Sequence, residues 1–198
     1  MPGLYDVEAN RLTMFDYRKL AGPGPGAGQP KALAARANTI TLVHEATHQW
    51  TYNCGLLDRS ADVPVAISEG LAMLAEERQP TGKATPGGIN GGRIDGLKLA
   101  LARNAAWIPC ERLLTDDDLA GGNQGDEAAQ QLAYAQDWLL AYHLMQKPRV
   151  AGFRAYLARL RTRKNPDDRS KDAAEFLGDL AKLDDELRAL ANRLVRAG

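Results

Sequence analysis

His44 and His48 stand four positions apart in "TLVHEATHQW" (41–50), with Glu45 directly after the first. On an α-helix that spacing puts both imidazoles on one face, one turn apart, about 6 Å along the axis. Both can then turn a ring nitrogen toward one ion. Glu45 lies about 100° round the helix from His44. It can reach a water on that ion without ligating it. A zinc hydrolase needs this order of residues: two ligands and one general base on a single helix. A lone histidine reads as a solvated or core side chain. The full triplet at this spacing points instead to a metal, Zn2+, on His44 and His48.

A catalytic zinc takes three protein ligands and keeps one position open. Glu69, in "AISEGLAMLAEE", is the best third ligand. Residues 55–63 form a loop long enough to fold a second helix back on the first. Gly70, next to Glu69, removes a side chain where two helices would approach. Cys54 and His143 are the rival ligands. Cys54 lies just past the end of the first helix and would have to curl back. His143 falls on a later helix, where a histidine between packed helices is the commoner case.

The elements that must carry these residues can be read from periodicity and punctuation. "GLYDVEANRLTMFDY" has a period of two, with Leu12, Met14 and Asp16 alternating with Thr13, Phe15 and Tyr17, and "EANR" can turn the chain. A β-hairpin over residues 1–20 follows. The glycine and proline of "AGPGPGAGQP" (21–30) exclude a regular element, so a loop or lid is expected. Helices are expected over 31–52, capped by Gly55, and over 63–78, capped by Asp62 with Pro64 in the first turn. "TGKATPGGINGG" (81–92) reads as a second glycine-rich loop. Further helices are expected over 93–107 and 124–146, and another opens at Pro148. Thr115 to Asp118 reads as a cap or short turn, and "RTRKNPDDRSKD" (161–172) as a solvated, charged loop. In the last helix Leu180, Leu183, Leu187, Leu190 and Leu194 form an apolar seam. It is about two heptads long, so it should pack on its own domain rather than form a coiled coil. The fold class is therefore mostly α (α+β): metal-site helices over 31–146, C-terminal helices over 147–198, and a small hairpin in front.

Composition narrows the functional classes. The chain has 198 residues, is 44% hydrophobic and 25% charged, which suits one globular domain, or one with a helical extension. Basic and acidic side chains balance at 25 each. No basic field invites nucleic acid. No apolar run approaches the roughly 18 residues of a membrane span. "MPGLYDVEAN" shows neither the charged nor the apolar region of a signal peptide. The compartment stays open, with an exported or cell-envelope home compatible, and the oligomeric state is open too. Cys54 and Cys110 read as two buried thiols, or as one disulfide in an oxidising compartment.

"HEATHQ" followed some twenty residues later by "SEGLA" resembles the gluzincin zinc metallopeptidases, the thermolysin-like branch of HExxH enzymes. More narrowly, the chain is similar to an uncharacterised bacterial group of peptidase-like domains. Gly3-Leu4-Tyr5-Asp6, Asn53-Cys54-Gly55, Tyr134-Ala135-Gln136-Asp137-Trp138 and Phe176-Leu177-Gly178 extend that likeness over most of the chain. The resemblance implies a zincin-like helical domain acting on a peptide or protein substrate. It implies zinc on His44, His48 and Glu69, Glu45 as the base that takes a proton from water and passes it to the leaving amine, and Tyr134 as a donor to the oxyanion. The alternative is a zinc-stabilised binding or scaffold domain without activity. Two positions depart from the pattern. Met73 stands where such enzymes often place an Asp that braces the first histidine, and Ala66 where the narrower group has a Trp. Only one hairpin is visible where gluzincins have a larger sheet, as in a fragment of a longer protein.

Overall fold

The computed structural model describes residues 3–19, 31–76, 88–121 and 127–197. The loop expected over 21–30, and residues 81–87 of the second glycine-rich loop, lie outside the described residues. The fold is mostly α with a small N-terminal β-hairpin, as the periodicity predicts. Strands β1 (Gly3–Asp6) and β2 (Arg11–Met14) pair antiparallel, with Gly3 opposite Met14 and Asp6 opposite Arg11. The alternation expected to reach Asp16 stops at Met14. The Asp16 carboxylate accepts from the Arg18 amide (3.0 Å) and guanidinium (2.8 Å), which bends the chain into a 3-10 turn over Tyr17–Lys19. That turn docks on the first helix, where the Tyr17 amide donates to Asn38 Oδ1 at 2.9 Å.

Helix α1 spans Lys31–Asn53 and ends at Gly55, whose φ of +73° suits a residue without a Cβ. Helix α2 spans Val65–Ala75, shorter than expected. Asp62 does not cap it. Asp117 does, accepting from the Val65 amide at 2.9 Å. Helix α3 covers Gly91–Ala102, earlier than expected, because Asn90 caps it with Oδ1 accepting from the Arg93 amide. Two short helices follow, α4 (Cys110–Thr115) and α5 (Asp118–Gly121). Then come α6 (Glu127–Leu144), α7 (Val150–Leu160), α8 (Arg169–Leu177) and α9 (Leu180–Ala197). Among the described residues no helix is long and apolar enough to cross a membrane.

Helix α6 is the axis of the core. Its Trp138, Leu139, Leu140 and Leu144 are fully buried against Ile67 and Met73 of α2, Leu97 of α3, Phe153 and Tyr156 of α7, and Leu183 and Leu187 of α9. The leucine seam of α9 thus packs inward on the helices around it, as expected.

The expected solvated loop over 161–172 holds only in part: residues 164–167 are exposed and outside any α-helix, but the charged side chains around them are not all solvated. Arg163, Arg169 and Asp172 are buried, and α8 begins inside it. Asp62 takes Arg169 Nε at 2.8 Å and Arg163 Nε at 3.0 Å, while Asp172 takes Arg159 Nε at 3.0 Å. Asp62 pairs with residues a hundred positions away, so it is not free to cap α2. Buried charges of opposite sign have to meet, and nothing local in the sequence says which will. The two cysteines are free thiols. Cys110 is buried as expected, but Cys54 is exposed.

Helices α2 and α6 approach closely at Gly70. A Cβ there would lie 2.5 Å from the Asp137 carbonyl oxygen and 2.8 Å from the Ala141 Cβ. Gly70→Ala gains helix propensity of about 1 kcal/mol, but the methyl can fit only if backbone moves. Overpacking of this kind costs roughly 1–3 kcal/mol, with more expected where the clash is with a carbonyl. Urea denaturation of the variant should show a net loss of stability. A midpoint at or above wild type would mean that α6 can give way.

Candidate metal centre

Helices α1 and α2 pack together, and the loop between them brings Glu69 back onto the histidine face of α1. One ligand atom from each of His44, His48 and Glu69 falls within 4.8 Å of the others, so the three residues form a group that could hold a metal ion. The two Nε2 atoms face each other at 3.1 Å, His44 Nε2 is 3.2 Å from Glu69 Oε2, and His48 Nε2 is 3.3 Å from Glu69 Oε1. Ligand atoms about 2 Å from a zinc at tetrahedral angles stand about 3.3 Å apart. The nitrogen–nitrogen separation and the nearest approach of each nitrogen to the carboxylate are of that size, with one oxygen of Glu69 toward each histidine.

The outward nitrogens fit as well. His44 Nδ1 donates to Glu76 Oε1 at 2.8 Å, and His48 Nδ1 meets Ser68 Oγ at 3.0 Å. With both Nδ1 atoms engaged on the outer side, the Nε2 atoms are the nitrogens turned toward an ion, His44 once its Nε2 proton is lost. This orienting of a metal-binding imidazole through its other nitrogen is a general feature of metal sites.

Glu76 was missed in the sequence, although it carried a signal. It follows Glu69 by seven residues, two turns along the same face of the helix, at the close of "AISEGLAMLAEE". Met73, the position where a bracing acid would be looked for, is fully buried in the core. The brace comes instead from the next turn. Glu76 is buried and held in turn by Asn90 Nδ2 at 2.8 Å, Arg93 Nε at 3.1 Å and Arg93 Nη2. Ser68, the residue just before Glu69, was quoted in the "SEGLA" motif without a role.

Burial works against charge here, and the pairings override it. Desolvation pushes His44 down, but hydrogen bonds and charge from Glu69 and Glu76 carry it up to about 9. Burial raises Glu69 and Glu76, yet His44 and His48 hold Glu69, and His44 and Arg93 hold Glu76, below the ordinary carboxylate range. Asp137 is pushed well above its ordinary value by burial, with the charge of Glu69 adding to it.

Glu45 is buried on α1 beside the hairpin. A Cβ on Gly3 would lie 2.8 Å from Glu45 Cγ and 3.0 Å from Glu45 Oε1, so β1 lies directly against this side chain. Tyr134 is half-buried on α6, with the Arg93 guanidinium 5.8 Å from its ring centroid. Burial first, then the charges of Glu69 and Asp137, push its phenol up to about 12, and Glu45 adds a smaller effect. The hydroxyl therefore keeps its proton at neutral pH and can donate. Tyr52, one turn after His48, is a second phenol near Ser68 and Glu69; burial raises it, and its ring stacks on Tyr5 at 6.1 Å.

The rival ligands go elsewhere. His143 Nε2 bonds Glu186 Oε2 at 2.8 Å, between α6 and α9. Cys54 turns its Sγ to the Thr51 carbonyl at 3.6 Å. Neither belongs to the cluster.

Residues 38–167 match the model of a family described as "Protein of unknown function (DUF1570)", over more than half of the chain. The chain belongs to this family. The matched span runs from the first half of α1 to the turn before α8, and it encloses Glu45, Tyr134 and every residue of the cluster and its supports. No curated protein and no solved structure matches the chain.

In protein stripped with a chelator, stability should follow these shifts. His44 is raised from 6.5 to about 9, so its contribution is complete below pH 6.5 and is lost as pH rises toward 9. Glu69 and Glu76 are lowered from 4.5, so their contribution is present above about pH 4.5 and is lost on acidification. Urea midpoints should peak between these limits, and His44→Gln should flatten the alkaline arm. A midpoint that stays level from pH 6.5 to 9 would show that His44 is neutral in the fold.

Proposed function

We propose that the chain is a zinc-dependent hydrolase of peptide bonds, with His44, His48 and Glu69 as ligands and Glu45 as general base. One observation carries this reading. The two Nε2 atoms face each other at 3.1 Å, each meets one oxygen of the Glu69 carboxylate at 3.2 or 3.3 Å, and the outer nitrogens of both histidines are already committed to Glu76 and Ser68. A core pair of histidines would have no need of two inward nitrogens facing each other across a carboxylate. The peptide as substrate is supported by the resemblance of "HEATHQ" and "SEGLA" to gluzincins, and by the hairpin lying against Glu45.

A bound zinc would supply a Lewis acid for the scissile carbonyl and make its water easier to deprotonate. The chain supplies the rest. Glu45 follows a ligand directly on the same helix, so its carboxylate is held within one residue of the cluster. It takes a proton from the attacking water and gives it to the departing amine. Gly3 leaves no side chain over that carboxylate, and β1 shields it from bulk water. The Tyr134 phenol, protonated at working pH, donates to the oxygen that gains charge.

Glu45→Gln should reduce cleavage of a peptide library at least a hundredfold while zinc stoichiometry stays at the wild-type value. Zinc lost together with activity would place Glu45 among the ligands. Glu69→Ala should weaken zinc strongly and remove the thermal stabilisation that zinc gives the wild type. Unchanged affinity would remove Glu69 from the ligand set. Tyr134→Phe should lower kcat about a hundredfold with zinc affinity unaltered; an unchanged kcat would pass the donor role to Tyr52. Wild-type protein that binds zinc and cleaves no peptide would favour the scaffold reading.

A further inference from the structure

Arg93 stands in the first turn of α3, outside both metal-bearing helices. Its Nε and Nη2 both bond the Glu76 carboxylate, one to each oxygen. The same guanidinium lies 5.8 Å from the centre of the Tyr134 ring. One planar group therefore touches the acid that orients His44 and the ring of the phenol on α6. The exposures are telling: the Glu76 side chain is 6% exposed and that of Arg93 26%. The arginine is the solvent-side member of the pair, and the acid is what it holds in place. Asn90 makes the arrangement stiffer. It caps α3 through the Arg93 amide, and its Nδ2 bonds both Glu76 Oε2 (2.8 Å) and the Met73 carbonyl (3.2 Å).

We propose that Arg93 is a positioning residue of the candidate metal centre, fixing Glu76 on His44 and the Tyr134 ring beside the cluster with one guanidinium. This rests on the zinc reading above. The argument turns on the shape of the group. A fork of two N–H donors fixes the plane of a carboxylate, and that plane sets the direction of the His44 ring through Nδ1. A flat cation can also lie against an aromatic face while its edge is engaged. A lysine keeps the charge but can do neither. If Arg93 were only an ion pair fastening α3 to α2, Arg93→Lys would preserve most of what it does. If it positions the cluster, the lysine should fail at the metal.

The test compares wild type, Arg93→Lys and Arg93→Gln. Zinc affinity is measured by competition with a chromophoric chelator. Cobalt loaded in place of zinc reports the ligand geometry through its visible spectrum. Urea midpoints of chelator-stripped protein report the fold. Arg93→Lys should bind zinc at least tenfold more weakly and shift the cobalt spectrum, with the midpoint of the stripped protein near wild type. Arg93→Gln should weaken zinc further, since it also leaves Glu76 without its cation; should it fail to fold, the lysine variant decides. Wild-type affinity and an unshifted cobalt spectrum in Arg93→Lys would overturn the inference and leave the zinc reading intact. The same holds if only the stripped midpoint falls. Wild-type protein that takes up neither zinc nor cobalt would overturn both.

Discussion

The candidate centre depends on how closely α2 fits between α1 and α6. Glu69 reaches the two histidines from one side of α2 while Gly70 meets the Asp137 carbonyl on the other, with no room for a Cβ. A methyl at that position would push α2 off α6 or toward α1, and ligand atoms now 3.1–3.3 Å apart would part or collide. Packed interiors pass on such shifts because they hold few voids. One missing side chain thus keeps three ligand atoms within reach of one another. The start of α2 is fixed separately. Asp117 caps it, and Asp117 is itself tied to Arg169, which also holds Asp62. The C-terminal helices therefore help place Glu69 without coming near it.

Local signals in the sequence carried much of this. The spacing of His44 and His48 foretold a shared helical face, and Gly70 foretold a close helix contact. The leucines of α9 foretold its inward packing, and alternation foretold the hairpin. Each of these depends on residues a few positions apart, where periodicity is informative. The failures share a different cause. Asp62 looked like a cap, and Arg163 and Arg169 looked solvated, because Asp62 and these two arginines meet across about a hundred residues. Composition cannot say that Arg163 will be fully buried against Asp62 and Asp172. Glu76 fell between the two cases. Its two-turn spacing from Glu69 was visible, but its role depends on Asn90 and Arg93, which arrive with α3.

Charge ties these supports to the chemistry proposed. Glu69 and Glu76 are both held ionised, giving two negative charges in a buried site. Arg93 offsets one. A proton on His44, whose affinity is raised to about 9, offsets the other, so the cluster and its brace are neutral together. A divalent ion on the inward nitrogens has to displace that proton, since a metal ligand must be deprotonated there. The exchange replaces one positive charge with two and leaves the assembly with an excess of one. That excess would lie within the field felt by Tyr134, which already senses the charge of Glu69. It would favour a developing oxyanion near the phenol, the charge that the proposed hydrolysis builds up. Without Arg93 the same ion would only restore neutrality. On the proposed reading, the arginine on α3 would decide whether a loaded centre attracts negative charge or merely balances its own.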